Sequence, residues 1–138
     1  NMWVEPFLLA SAMKMVISQR LWKRICSNCK VEHKITEYER KKIYEHLLPV
    51  LEKNDIDNAV FYKWAGCEKC NHSWYSWRIG IYEIISLTHK LREMIRAEAN
   101  TEDIIAEARN GDLITMKEDW ILKAIKGYTT IEEILRVI

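Results

Sequence analysis

The cysteines carry the most specific chemistry in this sequence. There are four, Cys26, Cys29, Cys67 and Cys70, arranged as two C-x2-C pairs on either side of a long spacer, residues 30–66. Two residues between cysteines let a tight turn aim both sulfurs at one point. Two such turns brought together supply the tetrahedral sulfur shell that Zn²⁺ prefers. The spacing therefore predicts one zinc ion bound by all four thiolates.

Four thiolates fill the coordination shell and leave no position for water or substrate, so the predicted zinc is structural. The alternatives are disulfide bonds, a redox-active C-x-x-C pair and an iron–sulfur cluster. An intracellular chain disfavours disulfides, and a thioredoxin-like motif would use one pair in a βαβ setting. Basic residues flank the pairs and would partly offset the charge of the thiolates: Lys23, Arg24, Lys30 and Lys69.

Other groups that could do chemistry have little support from their context. His72 follows Cys70 by two residues and could replace a cysteine ligand, although a solvated loop histidine is the simpler interpretation. The remaining histidines have no ligand spacing and are interpreted as surface residues: His33, His46 and His89. The four glycines are too scattered to form a phosphate-binding loop, and no catalytic triad or dyad is recognisable. The segment is expected to catalyse nothing by itself.

Composition bounds the function classes. Lys and Arg number 21 against 20 Asp and Glu, so charge gives no reason to expect nucleic acid or an anionic membrane as the main partner. Hydrophobic residues make up 49% of the chain, enough for a buried core. No apolar run approaches the roughly 18 residues that span a bilayer, and no signal peptide is recognisable. We expect a soluble, intracellular protein, and the start at Asn1 suggests a segment of a longer one.

The elements that must position the cysteines can be read from periodicity and capping signals. Pro6 suits the first turn of a helix, and two apolar stripes predict that this helix extends to about Lys23. A Thr36-x-x-Glu39 capping box opens an amphipathic helix with Ile43, Leu47 and Leu51 inward. Two strands are predicted, at Ala59–Lys63 and Arg78–Ile85.

The rest of the chain is predicted to be helical, which makes the fold class α+β and mostly helical. Thr88 is expected to cap a helix that runs through Arg96. Thr101 is expected to cap a second helix, and Thr115 opens a third through Lys126 that Gly127 ends. A second capping box, Thr130-x-x-Glu133, starts a final helix.

The order of these motifs resembles the C-terminal region of the type II secretion and type IV pilus assembly ATPases. The resemblance covers nearly the whole chain, and the tetracysteine insertion is its most specific part. The segments that carry it are Trp3–Leu8 (WVEPFL), Ser18–Leu21 (SQRL), both C-x2-C pairs, Arg78–Glu83 (RIGIYE), Thr115–Asp119 (TMKED) and Thr129–Ile134 (TTIEEI).

The resemblance implies a hexameric, cytoplasmic ATPase peripheral to the bacterial inner membrane. Such an enzyme uses ATP and Mg²⁺ and acts on platform proteins to drive pilus or pseudopilus assembly, with no nucleic-acid partner. Its Walker A and Walker B motifs would lie upstream of Asn1. Residues 1–25 would be the terminal helix of the RecA-like core, 26–78 a zinc-binding tetracysteine subdomain, and 79–138 the return strand with a C-terminal helical subdomain.

Arg20 is the one residue outside the cysteines that the resemblance connects to function. It would approach the nucleotide or a neighbouring subunit. A surface arginine whose aliphatic stem packs against the protein is an equally good interpretation.

Two other classes of function stay open. One is a free-standing zinc-ribbon module that binds nucleic acid or protein, for which Trp74, Tyr75 and Trp77 are the candidates for base stacking. The other is a purely structural adaptor.

The tryptophans are unusual in number and position. The chain has six tryptophans and four glycines. Members of the family usually carry glycine where this chain has tryptophan at five positions: Trp3, Trp64, Trp74, Trp77 and Trp120. One hypothesis is that these are glycines encoded by UGA and translated as tryptophan. The alternative is a divergent member with genuine tryptophans and an exposed aromatic surface near the zinc. His72 also occupies a usual glycine position, which UGA recoding does not explain.

Overall fold

A computed structural model describes residues 5–47 and 56–135 of the chain, with the side chains of His46, Leu47 and Leu135 excepted. It divides into two compact units. The helical unit comprises the described residues of Asn1–Ser18 and Glu83–Thr115. The cysteine unit comprises those of Gln19–Tyr82 and Met116–Ile138. Each unit has its own group of buried apolar residues.

The first helix is shorter than the sequence predicts. Helix α1 spans Pro6–Ala12 with the proline in its first turn, and the chain becomes extended at Met13. Strand β1 follows at Met15–Ile25, so the prediction of a helix to about Lys23 is wrong beyond Ala12. An apolar run that faces two sides fits a strand as well as a buried helix. Here the segment forms a strand because β4, distant in sequence, supplies its backbone hydrogen-bonding partner.

The helical unit also contains α3, His89–Arg96, and α4, Thr101–Arg109. Thr88 caps α3 as predicted, because its hydroxyl accepts a hydrogen bond from the Leu91 N–H at 3.3 Å. Helix α4 is capped by Asn100, whose side-chain oxygen accepts from the Asp103 N–H at 2.8 Å, so the prediction of Thr101 is wrong by one residue. The two residues have similar cap preference, and only the backbone turn decides between them. The core of this unit consists of Leu87, Leu91, Ala108 and Leu113.

In the cysteine unit, β2 spans Lys30–His33 and pairs antiparallel with β3, Phe61–Trp64. Helix α2, Glu37–Leu47, lies between them in sequence and confirms the first capping box. The Thr36 N–H donates to the Glu39 carboxylate at 2.6 Å, and the Glu39 N–H donates to the Thr36 hydroxyl at 3.2 Å. Ile43 is buried as predicted. The predictions for Leu51 and for the side chain of Leu47 lie outside the described residues.

Strand β4, Tyr75–Ser86, includes the predicted strand at Arg78–Ile85 and pairs with β1. Helix α5, Met116–Ile125, is followed by Gly127 at φ +70°, a left-handed conformation that suits a helix end. Helix α6 spans Ile131–Leu135. The final helix thus starts where the second capping box predicts, although the buried Thr130 hydroxyl does not accept a hydrogen bond from the Glu133 N–H.

Helices α5 and α6 contribute five of the nine residues in the core of the cysteine unit. The members of this core are Ile43, Ile56, Phe61, Ile81, Trp120, Ile121, Ala124, Ile131 and Ile134. The fold is therefore a mixed one with more helix than strand, in agreement with the coarse α+β prediction. In the described residues, no helix has both the length and the apolar character that crossing a membrane requires.

Candidate metal centre

Each C-x2-C pair lies on a tight backbone turn. In the first, the Lys30 N–H donates to the Cys26 carbonyl at 3.1 Å. In the second, a short 3-10 turn at Glu68–Cys70 follows Cys67, and the His72 N–H donates to the Cys67 carbonyl at 3.0 Å. Gly66 enters this turn at φ +87°, a conformation that glycine adopts without steric cost. Both turns therefore direct their two sulfurs to the same side, as the spacing predicts.

The two turns meet. The Sγ atoms of Cys26 and Cys67 are 3.9 Å apart, those of Cys29 and Cys70 are 3.9 Å apart, and those of Cys67 and Cys70 are 3.7 Å apart. All four sulfurs lie within 4.8 Å of one another. A tetrahedron with Zn–S bonds of about 2.3 Å has edges of about 3.8 Å. The cysteines are free thiols, too far apart for disulfide bonds, and their arrangement fits a tetrahedral ion.

The site is enclosed by the ends of several elements of the cysteine unit. Cys26, Cys29 and Cys70 are buried, and Cys67 is half-buried. The Cys26 N–H donates to the Trp74 carbonyl at 3.1 Å, and the Ala65 N–H donates to the Cys29 carbonyl at 2.9 Å. The end of β1, the β2–β3 ladder and the start of β4 are thus joined around the four sulfurs.

The surroundings shift the pKa values of the thiols in opposite directions. Burial raises the pKa of the Cys29 thiol to about 12. Burial acts in the same direction on Cys67, but hydrogen bonds from the Cys70 backbone and the Asn28 side chain outweigh it and lower the pKa of Cys67 to about 6. Burial is likewise outweighed at Cys70, where hydrogen bonds from the Cys67 and Trp74 backbone lower the pKa, so these surroundings favour Cys67 and Cys70 as thiolates, the form that binds metal.

Three of the four flanking basic residues lie over tyrosine rings. The Lys23 ammonium is 5.2 Å from the centre of the Tyr75 ring, and the Lys30 ammonium is 4.4 Å from that of Tyr62. The Arg24 guanidinium is 5.3 Å from the centre of the Tyr128 ring. Sequence reasoning placed these cations near the cysteines but missed their aromatic partners. The tyrosines are distant in sequence, and only the fold brings them close.

None of the histidines whose side chains the structure describes joins the cysteine cluster. His72 is exposed and is not part of the group of four sulfurs. His33 lies 3.6 Å from the Glu39 carboxylate, and His89 lies 3.6 Å from that of Glu93. His46 falls among the side chains that the structure does not describe. Arg20 is exposed on β1.

With this geometry established, comparison with known proteins identifies the family. A family model described as type II/IV secretion system protein matches residues 1–136. The chain belongs to this family. It is 36% identical over 135 residues to the type IV pilus assembly ATPase PilB of Thermus thermophilus, covering 98% of this chain and 14% of the relative.

A relative from a secretion system and a second pilus assembly ATPase have similar sequence identity to this chain. The chain is 36% identical over 137 residues to type II secretion system protein E of Aeromonas hydrophila, covering 99% of this chain and 26% of that protein. It is 34% identical over 137 residues to the pilus assembly ATPase PilB of Pseudomonas aeruginosa, covering 99% of this chain and 23% of the relative. The chain thus spans about a quarter or less of the length of these curated relatives, and the resemblance stated from the motifs is confirmed.

Proposed function

We propose that this chain is the C-terminal region of a hexameric motor ATPase that powers type IV pilus or type II pseudopilus assembly, and that Cys26, Cys29, Cys67 and Cys70 hold a structural zinc ion. The observation that carries the proposal is the convergence of four sulfurs at tetrahedral distances in a chain that matches the family over residues 1–136. The bound ion would supply a closed cross-link and no open coordination position. ATP and Mg²⁺ would bind elsewhere in the full-length protein.

The zinc would act on the ends of strands. The first pair of cysteines joins β1 to β2, and the second lies between β3 and β4. A cross-link there fixes the ends of four strands whose backbone hydrogen bonds alone form only two-stranded ladders. Two-stranded ladders are marginally stable in water. We therefore assign residues 26–78 as a zinc-binding subdomain whose shape depends on the ion.

Residues 1–25 would complete the RecA-like core, with a strand at Met15–Ile25 in place of the predicted helix. Large apolar side chains on α1 and β1 support this assignment, because Phe7, Ile17 and Leu21 are each more than half exposed. Apolar surface of this kind is usually covered by another part of the protein. Residues 79–138 would provide the return strand and a C-terminal helical region, of which α3 and α4 belong to the helical unit and α5 and α6 to the cysteine unit. The platform proteins of the inner membrane would be the partners that receive the motion.

The zinc assignment is tested on the full-length protein by native mass spectrometry and metal analysis. We expect one zinc per chain, and loss of the ion in Cys26→Ser and Cys67→Ser. Ser27→Ala is the matched control, because Ser27 is exposed within the first turn but offers no thiolate. A full complement of zinc in both cysteine variants would contradict the assignment.

The motor assignment is tested in cells. A deletion strain should lose pili or secretion, the wild-type gene should restore them, and the purified full-length protein should hydrolyse ATP as a hexamer. The competing zinc-ribbon function predicts salt-dependent binding of single-stranded oligonucleotide instead. Trp64 and Trp74 are stacked at 5.1 Å and would be its aromatic platform. Oligonucleotide binding without ATP hydrolysis would favour that alternative.

For Arg20, we propose contact with the nucleotide or with a neighbouring subunit in the full-length hexamer. Its exposed position on β1 leaves the guanidinium accessible to either. Arg20→Lys retains charge but not the guanidinium fork. A raised KM for ATP would indicate the nucleotide, whereas loss of the hexamer by light scattering would indicate the subunit interface. If Arg20→Ala changes neither the KM for ATP nor the molecular mass of the hexamer, Arg20 has only the packing role.

A further inference from the structure

Two tryptophans that follow the second C-x2-C pair in sequence have a backbone conformation that disfavours them. Trp74 has φ +72° and Trp77 has φ +71°. In this left-handed region the Cβ atom of an L-residue crowds the backbone, whereas glycine enters it freely. Bulky side chains there are true outliers, while Asn and His, the types found at Asn71 and His72, are several-fold enriched. Both tryptophans therefore have backbone conformations that suit glycine, Trp74 just before β4 and Trp77 within it.

No packing compensates for the conformation at Trp77, whose residue surface is 88% exposed. At Trp74 the main chain is held by the metal centre, since its carbonyl accepts the Cys26 N–H at 3.1 Å. On the far side, the Ser73 hydroxyl donates to the Tyr75 carbonyl at 3.0 Å. The turn is thus set by backbone contacts around the cysteines and not by what the indole prefers.

A third tryptophan is crowded in the core of the cysteine unit. Trp120 is buried in α5, and its ring centre lies 4.1 Å from that of Trp22. Aromatic pairs normally keep about 4.5–7 Å between ring centres. Both indole N–H groups are buried and find no acceptor among the described residues, which is costly for a polar group. Removal of one ring would relieve both the contact and its own unpaired N–H.

The amino-acid composition is also consistent with glycine at some of the tryptophan positions. Glycine makes up about 3% of this chain, against about 7% in average proteins, while tryptophan is abundant. We propose that residues 74, 77 and 120 are glycine in the protein that the source cell makes. UGA would encode them there, read by a glycine-accepting tRNA, and tryptophan would appear only when UGA is translated as tryptophan. Trp64 and Trp3 would belong to the same set by composition, but Trp3 lies outside the described residues.

The decisive experiment reads the gene and the natural protein. We expect UGA at codons 74, 77 and 120, and peptides from the source organism with glycine masses at those positions. Trp22 is the internal control: it lies in an extended strand and should be encoded by UGG. UGG codons at 74 and 77, or tryptophan in the natural peptides, would overturn the proposal.

A stability measurement tests the structural part separately. In the zinc-loaded full-length protein, Trp77→Gly should raise the Tm of the cysteine unit by roughly 3–6 °C. Trp77→Ala retains a Cβ atom at positive φ and should gain clearly less. Arg78→Gly is the matched control and should lower the Tm, because Arg78 is exposed in the same strand without a positive φ, and glycine weakens a strand. Equal effects of the glycine and alanine variants at residue 77 would show that the backbone there has no need for glycine.

Discussion

The two compact units differ in how they bury apolar surface. The cysteine unit has a core of nine buried residues and, beside it, four cysteines at tetrahedral spacing. The helical unit has a core of four buried residues and, although it is the shorter unit, exposes as many large apolar side chains as the cysteine unit does, eight among the described residues of each. In the helical unit the exposed residues are Phe7, Leu8, Met15, Val16, Ile17, Ile84, Ile105 and Ile114.

This contrast indicates two different sources of stability. Small structural units need a metal, a disulfide or a partner when their core is too small. The cysteine unit combines its own core with the predicted metal cross-link. The helical unit has no such group of ligands in its described residues, and its apolar surface suits coverage by another part of the protein. The following predictions, made for the full-length protein, test this contrast.

The largest effect should follow removal of the metal. Structural zinc contributes on the order of 10 kcal/mol or more in zinc-finger peptides. We expect chelation, or Cys29→Ser, to abolish hydrogen-exchange protection of the amides at residues 26–33 and 61–75. The amides of α3 and α4 should keep theirs. Equal loss of protection in both units would show that they do not differ in their dependence on the metal.

Large-to-small substitutions in the two cores should come next. Ile121 is 1% exposed in the core of the cysteine unit, and Leu91 is 2% exposed in that of the helical unit. We expect Ile121→Ala to cost about 3–5 kcal/mol and Leu91→Ala about 2–3 kcal/mol, because fewer fixed neighbours surround the cavity in the smaller core. Denaturant titration monitored by hydrogen exchange measures each one locally. A greater cost for Leu91→Ala would reverse the comparison.

Helix caps should have intermediate and similar effects in both units. Thr36→Ala in the cysteine unit and Asn100→Ala in the helical unit should each cost about 1 kcal/mol, because each removes the acceptor of an N-terminal N–H group. Thr101→Ala is the control and should stabilise the protein by about half a kcal/mol or less, since Thr101 lies inside α4 and alanine is the better helix former. Urea unfolding measures all three. A larger loss for Thr101→Ala would contradict the assignment of Asn100 as the cap.

Sequence patterns predicted the fold best where the stabilising contacts are between residues close in sequence. The C-x2-C turns, the Thr36–Glu39 capping box, the Thr88 cap and the Gly127 helix end could all be recognised from neighbouring residues. Strand β1 could not, because its apolar run fits a helix and only pairing with β4, some fifty residues later in the chain, decides. The tyrosines under Lys23, Arg24 and Lys30 were missed for the same reason. They are tertiary neighbours and leave no local pattern.

The smallest effects should come from removing one ion pair in each unit, and the pair in the cysteine unit should again contribute more to stability. Lys90 pairs with Glu107 in the helical unit, where the lysine side chain is 67% exposed. Lys123 pairs with Asp119 in the cysteine unit, with both side chains mostly covered, and the Tyr82 N–H donates to the same carboxylate at 2.8 Å. Exposed pairs contribute about 0–1 kcal/mol, and those less exposed to solvent are screened less by salt.

We therefore expect Lys90→Gln to cost a few tenths of a kcal/mol, with most of the effect removed by 1 M salt, and Lys123→Gln to cost about 1 kcal/mol with a weaker salt dependence. The hydrogen bond from Lys90 lowers the pKa of Glu107. A carboxylate with a lowered pKa in the folded state stabilises the protein above its unfolded pKa, and this contribution is lost as the pH falls through the folded value. Acid titration of unfolding should therefore show a smaller loss below about pH 4.5 in Lys90→Gln than in wild type. If Lys90→Gln costs more than Lys123→Gln at every salt concentration, burial does not distinguish the two units at the level of single ion pairs.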